Sequence, residues 1–369
     1  MRSKIMDFGG LRFLISLSLF IAIYFGMNHF IFYRLSTGLF PDGRWVLPLR
    51  ILLFCGAMTF FLGMFYRVWP PLFNLLRFGN YWFGFCDLAI TVLLLKYPFD
   101  WMFPGLLREV TLVALGVILA LTAYSIYNVS RPLRVTNINL RSDKFPASAP
   151  AFRLAHISDL HLSRLKSAEW VESVVASVNA LSPDAIVITG DMIDDKMPEL
   201  GMFIPAMKKL SAKYGVFAVP GNHDYYSGLD NMSEFERAAG VRILQNEKTE
   251  VGGVLEIFGV DNEILSPARY EAVLERGTKG GRLPIVMLKH KPTGFGPASE
   301  KGVFLQLSGH THAGQIPPLD LIVRLVYEFP FGLYQRGGSY IYTTCGSGTW
   351  GPPMRLFSHS EVVLITISR

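Results

Sequence analysis

The 369-residue chain is half apolar, carries a formal charge of +6 and holds only three cysteines. Such a composition excludes an ordinary soluble globule, while the polar remainder excludes a wholly membrane-embedded chain, so a two-part architecture is expected. The charge divides in the same way: up to Pro146 there are 14 Lys+Arg against 6 Asp+Glu, and beyond it 21 against 23.

The basic surplus thus belongs to the first part. A nucleic-acid-binding domain should carry its own basic face, so nucleic acid is not expected as a partner. Cys55, Cys86 and Cys345 lie far apart and are odd in number. They provide neither a disulfide framework nor a paired-cysteine zinc site.

Residues 1–140 read as a transmembrane anchor of about four all-α spans. Residues 13–33 and 110–130 are uncharged and long enough to cross a bilayer core. Residues 51–66 are short, but Arg50 and Arg67 flank them and can reach outward. Residues 81–95 contain Asp87, which is costly in lipid unless it faces a neighbouring helix. For these two segments a re-entrant or interfacial helix is the alternative. The first run lacks the short apolar core and small-residue cleavage site of a signal peptide.

With four spans the amino terminus and the large domain share one side. Nine Lys+Arg flank that side and five the other. This favours a multi-pass inner-membrane protein with its large domain cytoplasmic, whereas three spans would place that domain outside. Residues 141–151, "RSDKFPASAPA", lack periodicity and read as a linker.

From residue 152 to 369 short apolar runs alternate with helical spacing, the pattern of an α/β domain with a largely parallel sheet core. Five of these runs end in metal-competent side chains. The first delivers Asp159 and His161 in "SDLHL", and the second delivers Asp191 and Asp194 in "GDMIDD". The third ends in "VPGNHD" with Asn222 and His223, the fourth in "LKHKP" with His290, and the fifth in "SGHTHAGQ" with His310 and His312.

Each motif alone is more often structural than functional. Their joint occurrence, each directly after a buried strand, points to one site at the carboxyl edge of the sheet. Carboxylate, amide and imidazole donors suit Mn, Fe or Zn. Two cations close together need a shared ligand; a carboxylate bridges best, and Asp191 is the candidate.

Together these five motifs resemble those of the calcineurin-like metallophosphoesterase superfamily. "GHTHAGQ" and "CGSGTWGPPMRLF" are similar to its membrane-associated bacterial branch, the UDP-2,3-diacylglucosamine hydrolase-like enzymes. The resemblance covers roughly residues 150–369 and implies an α/β/β/α sandwich of two mixed sheets. It implies two divalent metal ions, one held by Asp159, His161, Asp191 and His312, the other by Asp191, Asn222, His290 and His310. His223 would face the substrate, with Asp194 as its partner fixing the tautomer. "TTCGSG" around Cys345 departs from the pattern, where relatives more often have a Ser-Arg-Gly stretch.

The expected reaction is hydrolysis of a phosphate ester or anhydride. Two divalent ions roughly 3.5–4 Å apart acidify a water and hold the phosphoryl oxygens for in-line attack. His223 would protonate the departing alkoxide. The resemblance implies a lipid-linked phosphate of the lipid A pathway, and the apolar stretch "PPLDLIVRLVYEFPF" at 317–331 suits a membrane surface or an acyl chain. Two alternatives are a phosphodiesterase for small soluble nucleotides and a non-catalytic, membrane-tethered metal-binding scaffold. His156, His29 and His359 read as packing or turn residues. Lys289, Lys291 and Gln315 are weaker candidates for substrate contact.

Overall fold

The computed structural model describes residues 8–263 and 266–369. Arg2 and Lys4, counted in the charge bias above, lie outside them. Backbone contacts divide the chain into two compact units.

The first unit is helical: α1 (Phe8–Leu39), α2 (Val46–Gly63), α3 (Phe73–Met102) and α4 (Leu107–Ser130). All four are long and apolar enough to cross a membrane. A helix satisfies its own backbone polar groups, which lipid cannot do. Gly63 and Gly79 allow α2 and α3 to touch, since a Cβ at either position would meet the partner helix's backbone at 2.3 and 2.5 Å.

The third span is far longer than 81–95. Lys96, one residue beyond that expected end, is buried within α3, where it pairs with Asp100 one turn on, and Asp100 also takes Arg34 of α1. Asp87 is buried too and so turned away from lipid.

The second unit begins near Asn128. Its strands are β1 (Arg134–Arg141), β2 (Phe152–Ile157), β3 (Ala185–Ile188), β4 (Val216–Ala218), β5 (Arg242–Ile243), β6 (Glu247–Val251), β7 (Leu255–Val260), β8 (Ile285–Lys289), β9 (Leu305–Ser308), β10 (Gly332–Arg336), β11 (Ser339–Thr343) and β12 (Glu361–Ser368). The helices continue as α5 (Ala168–Asn179), α6 (Met197–Leu200), α7 (Ile204–Met207), α8 (Asn222–Ser227), α9 (Leu229–Ala239), α10 (Pro267–Thr278), α11 (Phe295–Glu300) and α12 (Leu319–Val326).

Strand β1 lies before the expected start of the domain. Its alternation buries Ile138 and Leu140 while Asn137 and Asn139 point the other way, and it runs parallel to β12. The segment 142–151 therefore connects β1 to β2 inside the domain rather than joining two domains.

The strands form two six-stranded mixed sheets, in the orders β1-β12-β2-β3-β4-β5 and β10-β11-β9-β8-β7-β6. Their inner faces share one core, in which Leu154, Val187 and Ile365 meet Ile257, Val286 and Leu305. Val174, Val178, Met207 and Phe235 of α5, α7 and α9 cover the outer face of the first sheet, and Val273, Leu274 and Ala298 of α10 and α11 cover that of the second. This is an α/β/β/α sandwich. Strands β2, β3 and β4 run parallel, as do β7, β8 and β9, so both sheets bring carboxyl ends to one edge.

Candidate metal centre

All seven expected ligands converge at this edge. Asp159 and His161 follow β2, Asp191 follows β3, Asn222 opens α8 after β4, His290 follows β8, and His310 and His312 follow β9. The loops after β2 and β3 are laced together, with Asp159 N donating to Gly190 O (3.0 Å), His161 N to Asp191 O (3.0 Å) and Leu162 N to Met192 O (2.9 Å).

The backbone is strained where the ligands sit. Asp159, His161, Asp191, His310 and His312 all have positive φ, between 49° and 72°, a conformation that costs non-glycine residues on the order of 1–3 kcal/mol each. Two glycines make room. A Cβ on Gly221 would fall 2.1 Å from Asp191 Oδ1, and one on Gly309 would fall 2.2 Å from Asp159 Oδ2.

The expected ligands form two adjoining groups, Asp159–His161–His312 and Asp191–His290–His310, and a third group of metal-competent side chains, His161–Asp194–His223, shares His161 with the first. Within the first, His161 Nε2 lies 3.1 Å from His312 Nε2, and His312 Nε2 lies 3.5 Å from Asp159 Oδ1. Within the second, His290 Nε2 lies 3.2 Å from Asp191 Oδ2 and 3.1 Å from His310 Nδ1. The same Asp191 Oδ2 lies 3.8 Å from His161 Nε2, while Oδ1 accepts from His223 N at 2.8 Å. One oxygen of Asp191 thus faces both groups, the geometry a bridging ligand requires.

These residues fit divalent cations by their own chemistry. His161 Nδ1 donates to Asp194 (2.9 Å) and His290 Nδ1 to Thr189 O (2.7 Å), which turns both Nε2 atoms toward the centre. Asn222 Oδ1 is buried with no hydrogen-bond partner among the described residues, and an orphaned buried carbonyl is costly unless something accepts its lone pairs. The carboxylates also attract positive charge. Against burial, Asp191 and Asp159 push His290 up to about 9. Burial opposes ionisation of Asp191, yet His290 and His161 hold it below the usual carboxylate range. Burial and His290 together push His310 down to about 3, leaving a neutral imidazole.

Asp194 does more than the sequence suggested. Its Oδ1 accepts from His223 Nδ1 (3.0 Å) as expected, and also from His161 Nδ1. Burial works against its charge, but both imidazoles hold it below the ordinary carboxylate range. His223 is about one-fifth exposed and is flanked by the rings of Tyr226 and Trp350, with centroids at 5.4 and 5.8 Å.

Gln315 is not free for substrate. Its amide donates to Trp350 O (3.0 Å) and accepts from Trp350 N (2.8 Å), which pins the loop that carries this ring. Lys289 is engaged by Thr293 Oγ1 at 2.7 Å. His156 is packed at Thr189 Oγ1 (2.8 Å) and burial pushes it down to about 3. Cys345 offers no nucleophile, because burial and Glu361 push its thiol up to about 12.

Three supporting residues escaped the sequence reading. Arg355 is fully buried and donates to His312 O (3.1 Å), Cys345 O (2.6 Å) and Gly348 O (2.8 Å), tying the last ligand to the 345–349 loop. Tyr327 Oη meets His310 Nε2 at 2.8 Å. Asp224 accepts from the backbone N–H groups of Gly221, Met192 and Ile193 (2.7–3.0 Å), locking the third loop to the second. Each lies inside a stretch already quoted, "GNHD", "CGSGTWGPPMRLF" or "PPLDLIVRLVYEFPF", but no periodicity marks a buried Arg or a lone Tyr.

Comparison with known proteins agrees with this geometry. The family model for the calcineurin-like phosphoesterase matches residues 152–314. An uncharacterised metallophosphoesterase of Aquifex aeolicus (strain VF5) is 35% identical over 64% of this chain and 92% of its own length. One from Bacillus subtilis (strain 168) is 32% identical over 67% of this chain and 92% of its own. A transmembrane protein with metallophosphoesterase domain from Danio rerio is 31% identical over 70% of this chain, which spans 63% of that protein. Ligand geometry and relatives lead to one conclusion: this membrane protein belongs to the calcineurin-like phosphoesterase family and is a metal-dependent phosphoester hydrolase.

Proposed function

We propose that the chain hydrolyses a phosphodiester or pyrophosphate bond of a lipid-linked substrate, of the UDP-2,3-diacylglucosamine type. The observation that carries this reading is α12. It is amphipathic, buries none of its residues, and exposes Leu321, Ile322, Leu325 and Val326. Such a face suits an acyl chain or a bilayer surface. Tyr327 extends its last turn, with N donating to Val323 O (3.0 Å), and bonds the ligand His310. The lipid-facing helix and the metal centre are therefore one hydrogen bond apart.

Asp159, His161, Asp191 and His312 would hold one divalent ion, and Asp191, Asn222, His290 and His310 the other, with manganese a suitable metal for this donor set. When bound, the pair lowers the pKa of coordinated water and neutralises phosphoryl oxygens. His223 stands beside the centre with Nδ1 fixed by Asp194, which leaves Nε2 to give a proton to the leaving oxygen. Phosphoryl transfer needs positioning and charge neutralisation more than a covalent nucleophile, in keeping with the protonated Cys345.

An even number of spans would return the catalytic domain to the side on which α1 begins, and the Lys+Arg bias supports the cytoplasmic face of an inner membrane for that side. A second reading is favoured by Tyr226 and Trp350: rings beside His223 suit a nucleobase, hence a small soluble nucleotide diester.

The test compares hydrolysis of a bis-aryl phosphate, a soluble nucleotide diester and lipid-linked pyrophosphates, in detergent with manganese. Preference for the lipid-linked compounds by an order of magnitude or more in kcat/KM is expected. Turnover of the nucleotide diester with the lipid compounds untouched would replace the first reading by the second.

A further inference from the structure

A cavity of about 550 Å³ opens at the end of the last membrane-crossing helix; its polar lining includes Asn128, Arg131, Arg134 and His359. Helix α4 has 24 residues, roughly 36 Å at 1.5 Å per residue, enough to cross the hydrocarbon core. Its final turn, which contributes Asn128, therefore reaches headgroup depth, and Arg131 is the first residue beyond it.

The lining is built rather than incidental. Asn128 is buried, donates to Arg355 O (3.0 Å) and Ser358 O (2.9 Å), and meets His359 Nδ1 with its oxygen at 3.3 Å. Arg134 opens β1, where its N–H donates to Ser360 O (2.9 Å), so its side chain is anchored at the root. Neither Arg131 nor Arg134 is in an ion pair among the described residues. The nearby acid, Glu361, is engaged by Thr136, Tyr342, Thr344 and the Cys345 N–H. Positive potential converges on the cavity: after burial, Arg134 and Arg131 are what hold His359 below the ordinary imidazole range.

We propose that this cavity binds the phosphate of an anionic lipid headgroup, at a site separate from the metal centre. Two guanidinium forks match phosphate oxygens in geometry and charge. The volume suits one headgroup, and Leu133 and Pro132 supply an apolar wall for the glycerol. Each juxtamembrane cation adds to the attraction for an anionic leaflet. The inference does not depend on what the metal centre hydrolyses.

The test uses the full chain in detergent, with lipid retention followed by native mass spectrometry. Phosphatidylglycerol should be retained at least tenfold better than phosphatidylcholine. The R131Q/R134Q variant should lose that preference and R131K/R134K should keep most of it, both still hydrolysing a soluble bis-aryl phosphate. Equal retention of the two lipids by the native chain, or an undiminished preference in R131Q/R134Q, overturns the proposal. If millimolar inorganic phosphate displaces phosphatidylglycerol completely, the site reads free phosphate and the lipid assignment falls.

Discussion

One oxygen atom, Oδ1 of Asp194, accepts from both His161 and His223, and this separates two roles that a sequence cannot separate. The His223 ring packs edge-on against that of His161, with centroids at 4.8 Å, but the hydrogen bond of its Nδ1 goes to Asp194. Replacing His223 with Ala should therefore lower kcat by about two to four decades with metal content unchanged, as read by steady-state kinetics and elemental analysis together. Asp194→Asn removes an acceptor from a ligand as well. It should lower kcat and also weaken metal binding by about 10–100-fold, in a metal titration of stripped protein; full metal affinity in that variant would show that His161 does not need this partner. The convergence of the seven candidate ligands was legible because each follows an apolar strand, so its type and its place were given together. Asp194 was legible as a partner of His223 but not of His161, because its second bond depends on how two loops pack, and packing leaves no local signature. Arg355 was illegible for the same reason: it lies 43 residues from His312, whose carbonyl it holds.

Among the elements, the loops hold the candidate site and the helices behind them carry a hidden cost. Gln315 reads as a candidate substrate contact, yet both ends of its amide are committed to the Trp350 backbone. Gln315→Ala should free the Trp350 loop and raise KM for an aryl phosphodiester severalfold, with kcat and metal content little changed. A drop in kcat alone would instead place Gln315 at the reacting group. Helix α9 buries Glu236, whose two carboxyl oxygens have no hydrogen-bond partner among the described residues. Burial first, then the Asp224 charge, push this acid well above its ordinary 4.5. The unfolded chain releases its proton near 4.5 while the folded protein retains it, so the folded state binds more protons and stability falls as pH rises above that point. Glu236→Gln should abolish this loss, which amounts to about 1.4 kcal/mol per pH unit. The variant's melting temperature should match the native one near pH 4.5 and exceed it as pH rises above that point; a gap that does not change with pH would mean that ionisation of Glu236 plays no part.

For the molecule as a whole, the hydrophobic pattern announced two parts but misplaced their join. The membrane helices were readable because lipid demands long apolar runs, although Lys96 hid the true length of α3 by pairing within the bundle. Strand β1 was missed because its alternation is short and sits between α4 and a Pro-rich stretch, where a linker was the simpler reading. What unites the sandwich at its working edge is the set of ligands: five residues held at positive φ, facing imidazole nitrogens about 3 Å apart, and an amide oxygen without a partner. Left without cations, this arrangement retains its strain and loses its compensation. Anything that binds the native state alone stabilises it, by about 2.7 kcal/mol at a hundredfold excess over Kd. Stripping the full chain with a chelator in detergent should therefore lower the melting temperature of the catalytic domain by several degrees and abolish hydrolysis of a bis-aryl phosphate. Restoring manganese or zinc should recover both together, with the recovery saturating at two ions per chain. Saturation at one ion would leave Asp191 without a bridging role. A melting temperature indifferent to metal would mean that the strained loops are held by Arg355, Asp224 and the laced backbone alone.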